Sequence, residues 1–313
     1  MRMNTVAELM KPNAQDRTTV APSATEAANT ADIGLTPDQL ATWHERGWLV
    51  LRDCIPLPAI TALREVFAGV VARQLDQLHR EGVITDTRPH LPFERRYAEA
   101  AGVHAGRFGR GWRSEIISPA LFDLHRSPRL LAAMSAIFAG DGVYGHPVWN
   151  ARPKLPGQQL TVVPWHQDSA YFGPDSERQT IVTAWVPLVP TSPHNGGMQV
   201  ADGSHRDGLA VHRVEDREGK FLEIAGGNPP EASIVDVPVG PGDALVFGNL
   251  LKHRSVANLS DGVRWSVDLR FHPESIAGNV GGCDLKAPWI LRSATRPATT
   301  YEQWRPLVAN LPW

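Results

Sequence analysis

Cysteine is nearly absent from this chain. Its 313 residues include two, Cys54 and Cys283, far apart and without zinc-type spacing. That excludes a disulfide scaffold and points to free thiols in a reducing compartment, the cytoplasm. No apolar run approaches the roughly 18 residues of a membrane span, and no secretory apolar segment stands at the N-terminus, so no membrane partner is expected. Charge of one sign is also missing: 31 Lys and Arg against 33 Asp and Glu leave a net charge of −2, which offers no nucleic-acid surface. Residues 1–34 are rich in Ala, Thr and Asn and poor in large apolar groups, so they are expected to form a disordered leader. No internal repeat is evident. With 42% hydrophobic residues, residues 35–313 can form one domain around one core.

What the chain does contain changes character near residue 140. Before it, helical spacing dominates. Thr36-Pro37-Asp38-Gln39 reads as a cap. Ile60, Leu63, Val66, Phe67, Val70, Val71, Leu75 and Leu78 mark a helix over 57–80, and Ser118-Pro119 opens another expected over 118–138. His44, His79 and His125 are read as surface or packing residues. Residues 85–114 are expected as a long irregular connection carrying Arg88, Arg95, Arg96, Arg107, Arg110 and Arg113. The segment is either a solvated basic face or a lid whose arginines suit an anionic substrate. Residues 281–313, with Trp289, Tyr301, Trp304 and Trp313, are read as a C-terminal strap.

After residue 140, short apolar runs alternate with Gly and Pro turns, the pattern of a mainly β protein with flanking helices. A double-stranded β-helix, the jelly roll of cupin-like proteins, gathers side chains from distant strands into one mouth. Within this region stand His166, Gln167 and Asp168, then His253, then Arg264. The spacing of two aims the His166 imidazole and the Asp168 carboxylate to one side of a strand. With His253 they make two imidazoles and one carboxylate, the set that holds non-haem Fe(II) and leaves positions open for O2 and a cosubstrate. Further on, Arg264, Ser266, Asp268 and Arg270 share one strand face. Such a polar face ordinarily looks to solvent. A hairpin from the His253 strand would instead bring Arg264 beside the metal, where a guanidinium grips a carboxylate through two parallel hydrogen bonds. Asn150, Arg152 and Lys154 share a face that is inner or outer. Tyr171 and Phe172 either face a substrate or fill the core.

These residues resemble the phytanoyl-CoA dioxygenase family of Fe(II)/2-oxoglutarate oxygenases. The likeness spans about residues 35–273 and includes Trp185 in TAWVPL, the GGMQVADGSH run over 196–205, and Ser255. The resemblance implies a double-stranded β-helix, iron on His166, Asp168 and His253, and 2-oxoglutarate on Arg264 in a pocket lined by Gln167, Trp185 and Ser255. It implies hydroxylation of an unactivated C–H bond of a small molecule, a specialised metabolite or amino-acid derivative, with release of succinate and CO2. Asn150, Arg152, Tyr171 and Arg113 are the candidate substrate residues. Asp168 occupies the position that halogenases of this class leave vacant for halide. Desaturation, epoxidation and cyclisation stay open as outcomes of the same site, as do an iron oxidase without cosubstrate and a non-enzymatic jelly-roll binding module.

Overall fold

Thr36 opens the first helix with a reciprocal cap: its hydroxyl accepts from Gln39 N at 3.2 Å while Gln39 Oε1 accepts from Thr36 N at 2.9 Å. The computed structural model describes residues 34–108, 112–215, 221–280 and 289–309; the expected leader, apart from Gly34, lies outside them, as do Arg110, Cys283 and Trp313. In chain order the elements are α1 (Pro37–Arg46), β1 (Trp48–Leu51), α2 (Leu57–Arg80), α3 (Phe93–Ala101), α4 (Trp112–Glu115), α5 (Pro119–His125), α6 (Pro128–Ile137), β2 (Val143–Gly145), β3 (Asn150–Lys154), β4 (Val163–His166), β5 (Val182–Pro187), β6 (Met198–Ala201), β7 (His212–Val214), β8 (Leu222–Ile224), β9 (Ile234–Val237), β10 (Ala244–Gly248), β11 (His253–Ser255), β12 (Arg264–Pro273), β13 (Trp289–Arg292) and α7 (Tyr301–Ala309).

Seven strands form one sheet in the order β1-β10-β5-β12-β2-β13, with β3 also pairing β12; four form a second in the order β4-β11-β6-β9. The long β12 is central to the layering. Its Trp265, Val267, Leu269 and Phe271 are fully buried and belong to the core shared with the helices, where Trp265 meets Phe67 of α2 at 5.4 Å and Trp112 of α4 at 5.2 Å between ring centroids. Burying each such side chain contributes about 1.5–3 kcal/mol. The opposite face, Arg264, Ser266, Asp268, Arg270 and His272, is buried too. It is not a solvent side, because the smaller sheet covers it. Between the two sheets lies an apolar layer of Trp48, Trp185, Leu245 and Phe247 with Met198, Val200 and Val237. Polar groups converge beside it, Arg264 against Trp185 and His253 against Phe247.

Three expectations are corrected. The helix over 118–138 is two helices, because Pro128 cannot donate to the preceding turn and restarts the chain at the first position of α6. Residues 85–114 are not structureless where described: α3 buries Tyr97 and Ala101, and a 3-10 turn over Gly102–Phe108 follows. Three of the arginines there make ion pairs, Arg88 and Arg95 with Glu99 and Arg107 with Glu81. Finally, β11 and β12 are not a hairpin. They lie in different sheets, joined by a turn in which Asn258 Nδ2 donates to Lys154 O at 2.8 Å and to Gly262 O at 2.7 Å. In the C-terminal region, Trp289 and Trp304 are buried against His125 and Phe122, as packing.

Candidate metal centre

β4 and β11 are antiparallel neighbours in which His166 and His253 are direct cross-strand partners, so both imidazoles leave the same face of the smaller sheet. Their ring centroids are 4.2 Å apart. Each Nδ1 lies 2.9 Å from the carbonyl two residues earlier, Pro164 O and Leu251 O. A ring nitrogen facing a carbonyl carries the proton, which leaves each Nε2 its lone pair for a metal. Asp168 stands just past β4, first in a 3-10 turn. Its Oδ1 is 3.9 Å from His166 Nε2 and 4.0 Å from His253 Nε2. One ligand atom from each of the three residues falls within 4.8 Å of the others, close enough to share one ion.

Protonation states suit that role. Burial lowers both imidazoles, His166 to about 3 with the neighbouring His253 adding to the effect, so both are neutral near pH 7. Burial alone would raise the Asp168 carboxyl, which is 1% exposed. Arg270 outweighs it and holds the group well below the usual carboxylate range. The pairing is bidentate, Arg270 Nη2 to Oδ1 at 2.8 Å and Nε to Oδ2 at 3.0 Å, and Thr183 Oγ1 donates to Oδ2 at 2.6 Å. Two neutral imidazoles and an ionised carboxylate fit a divalent first-row ion.

At the other end of the same inner face lies Arg264, 3% exposed. Its guanidinium is 5.2 Å from the Trp185 ring, and Nε donates to Gly196 O at 3.2 Å. Its β3 partner in register is Lys154, also buried, whose Nζ donates to Ser255 Oγ at 2.8 Å. Burial lowers Arg264 only to about 10, so it stays charged. Trp185 and Ser255 therefore gather with Arg264. Gln167 does not. The alternation that aims His166 inward turns its neighbour away, and the Gln167 amide is occupied by Gly208 O, Leu250 O and Ala210 N. It staples the 208–210 segment instead of lining a cosubstrate pocket.

Asn150 and Arg152 face inward, opposite Asp268 and Ser266 of β12. Arg152 Nε donates to Asp268 Oδ2 at 2.9 Å, and the Asn150 amide, in its better-satisfied orientation, accepts from Arg152 Nη2 at 3.1 Å. Arg113 reaches this region from α4, and Tyr171 stands at the rim, 44% exposed, its ring edge-on to His166 at 5.7 Å. Lys154, Thr183 and Arg270 were not singled out from sequence. Arg270 shares the alternating face of Arg264 and could have been; nothing local marks Thr183.

A cupin-like double-stranded β-helix whose inner face joins two histidines, one carboxylate and a buried arginine defines the structural class. The chain belongs to the phytanoyl-CoA dioxygenase (PhyH) family, whose model matches residues 43–266. It is similar to two proteins named 1-deoxypentalenic acid 11-beta-hydroxylase. The one from Streptomyces exfoliatus is 38% identical over 136 residues, covering 41% of this chain and 46% of that protein. The one from Streptomyces arenae is 32% identical over 179 residues, covering 53% and 61%. The chain thus spans about half the length of these curated relatives. Among solved structures, the apo form of the non-heme monooxygenase ThoJ shares the fold, with a TM-score of 0.52 at 20% identity over 75% of this chain and 76% of that one.

Proposed function

We propose that this chain is an Fe(II)- and 2-oxoglutarate-dependent dioxygenase that hydroxylates an unactivated C–H bond of a small molecule. The observation that carries the reading is the convergence of His166, Asp168 and His253 within 4.8 Å on the inner face that also presents Arg264. His166, Asp168 and His253 would hold the iron; Arg264, with Trp185 and Ser255 beside it, would hold the distal carboxylate of 2-oxoglutarate. When bound, these groups supply O2 activation coupled to oxidation of 2-oxoglutarate to succinate and CO2. The protein's part is positioning and exclusion of water. Its ligands are 6%, 1% and 3% exposed, Arg270 and Thr183 fix the carboxylate, and the two Nδ1 bonds fix the ring planes.

Asn150, Arg152, Arg113 and Tyr171, at the mouth of this face, are the proposed substrate residues. The relatives named hydroxylases support hydroxylation as the outcome, and the presence of Asp168 supports it over halogenation. We also read the chain as cytoplasmic, with Cys54 a free, buried thiol. The test is succinate formation by purified full-length protein supplied with Fe(II), 2-oxoglutarate and O2. Turnover above the metal-free control, lost in Asp168→Ala, is expected; no metal-dependent turnover, coupled or uncoupled, would refute the assignment.

A further inference from the structure

β7 and β8 pair with each other and with neither sheet. β8 lies against β4, and the bonds that fasten the pair run to the segment carrying two of the metal ligands. From β8, Leu222 N donates to Tyr171 Oη at 2.8 Å, three residues past Asp168. Ahead of β7, Leu209 N donates to Glu177 Oε1 at 3.2 Å, while Gly208 O and Ala210 N meet the two ends of the Gln167 amide. A backbone tie accompanies these: Gln167 N–H donates to Nε2 of His212 at 3.1 Å. That N–H belongs to the peptide joining Gln167 to His166, and the next residue is Asp168, so the bond acts between two ligands.

His212 is built as the ligands are. Its Nδ1 lies 2.8 Å from Ala210 O, the carbonyl two residues earlier, just as the Nδ1 atoms of His166 and His253 lie beside Pro164 O and Leu251 O. In each ring that contact keeps the proton on Nδ1 and the lone pair on Nε2. In His166 and His253 the lone pair is left for a metal; in His212 it is taken by Gln167 N–H. The acceptor fixes the plane of the 166–167 peptide, and with it the direction in which the chain leaves His166 and enters the turn that presents Asp168. Gln167 Nε2 also donates to Leu250 O at 2.7 Å, three residues before His253, so one residue links the approaches of all three ligands.

We infer that His212 is a positioning residue of the metal centre, acting through the Gln167 N–H, and that this bond couples the β7–β8 pair to metal binding. The inference rests on the metal site of the proposed function and adds to it a residue that touches no metal. Coupling of this kind is reciprocal: a pair of strands that holds the ligands in place is itself steadied by the bound ion.

Calorimetric titration of the full chain with Ni(II), without 2-oxoglutarate, tests this in His212→Phe and His212→Gln. Both variants lose the bond to Ala210 O, but glutamine returns an amide oxygen to the place of Nε2 and phenylalanine does not. The Phe variant is expected to bind Ni(II) about 10- to 100-fold more weakly, and the Gln variant to stay within about 3-fold of the wild type. Hydrogen exchange on the same proteins should show Ni(II) slowing the β7 and β8 amides in the wild type and the Gln variant but not in the Phe variant. Wild-type Ni(II) affinity in the Phe variant, an equal loss in both variants, or wild-type β7 and β8 amides indifferent to Ni(II) overturns the inference. Should the Phe variant not fold, His212→Asn takes its place, because its amide is one methylene too short to reach Gln167 N: binding weaker than in the Gln variant upholds the inference and equal binding overturns it. A wild-type chain that binds no Ni(II) refutes the metal site and the inference with it. Ni(II) binding as expected, without turnover when Fe(II), 2-oxoglutarate and O2 are supplied, refutes the proposed function and leaves the role of His212 standing.

Discussion

A buried carboxylate with no counter-ion would be costly, and Asp168 has one in Arg270 whether or not a metal is bound. The bidentate pair at 2.8 and 3.0 Å lets the metal site exist as a preformed cavity. Arg270→Gln leaves Asp168 buried and unpaired, and is expected to destabilise the metal-free protein by about 3–5 kcal/mol. Saturating Ni(II) should recover part of that loss, because the ion supplies the missing positive charge. Urea unfolding with and without Ni(II) measures both; an unchanged midpoint without metal would show that the pair contributes nothing. Arg264 is equally buried and, among the described residues, its hydrogen bonds go to the neutral acceptors Gly196 O, Arg152 O and Ser266 Oγ. Arg264→Ala should weaken 2-oxoglutarate binding to the Ni(II)-loaded protein by about 2–5 kcal/mol, roughly 30-fold or more; calorimetry giving wild-type affinity would remove Arg264 from that role.

Among elements, β12 is the one that joins the stable part of the molecule to the working part. One face is sealed by α2, α3 and α4, so the other can be populated by charge without losing its place. The turn before β6 performs a similar service. Gly196 has φ +84°, its carbonyl accepts from Arg264, and a Cβ there would come within 2.3 Å of Lys154 Cδ and 3.1 Å of Val256 O. Gly196→Ala should therefore cost about 1–3 kcal/mol of stability and weaken 2-oxoglutarate binding together with it. Thermal denaturation and a cosubstrate titration check the pair of effects; loss of stability with binding intact would separate the turn from the site. The single helix expected over 118–138 and the hairpin expected before Arg264 show where reading by element falls short. Amphipathic spacing continues across a proline break. A Gly-containing turn looks the same whether the chain returns beside its own strand or crosses to the facing sheet.

At the scale of the whole molecule, the chain buries histidines besides the metal ligands, and these add to the response to acid that His146, His166 and His253, all lowered by burial, give it. His125, among Phe271, Trp289 and Trp304, and His272 are each lowered by burial from 6.5 to about 4. An imidazole lowered on folding stays neutral inside while the unfolded chain takes up a proton. Its contribution is therefore present above pH 6.5 and is lost as pH falls from 6.5 towards 4. At pH 5 each should cost about 2 kcal/mol relative to pH 8. Unfolding free energies across that range should fall accordingly, and His125→Phe should flatten the slope; an equal slope in the variant would place the acid sensitivity elsewhere.

The β class, the cap at Thr36 and the helix over 57–80 were legible in the sequence because they lie on regular spacings within short windows, as does the pair His166 and Asp168; His253 and Arg264, far along the chain, were joined to that pair by the family resemblance. Arg270, Thr183 and Lys154 were not, because their meaning depends on which sheet faces which. Gln167 was misplaced for a related reason: its neighbours' inward direction fixes its own outward one, and only the partners Gly208, Ala210 and Leu250 reveal its use.

Anaerobic calorimetry of the full chain, first with Fe(II) and then with 2-oxoglutarate, tests the central claim most directly. One metal ion and then one 2-oxoglutarate per chain are expected in the wild type, no tight metal binding in Asp168→Ala, and metal but weakened 2-oxoglutarate binding in Arg264→Ala. Metal binding that survives Asp168→Ala unchanged, or 2-oxoglutarate binding indifferent to both metal and Arg264, would contradict it.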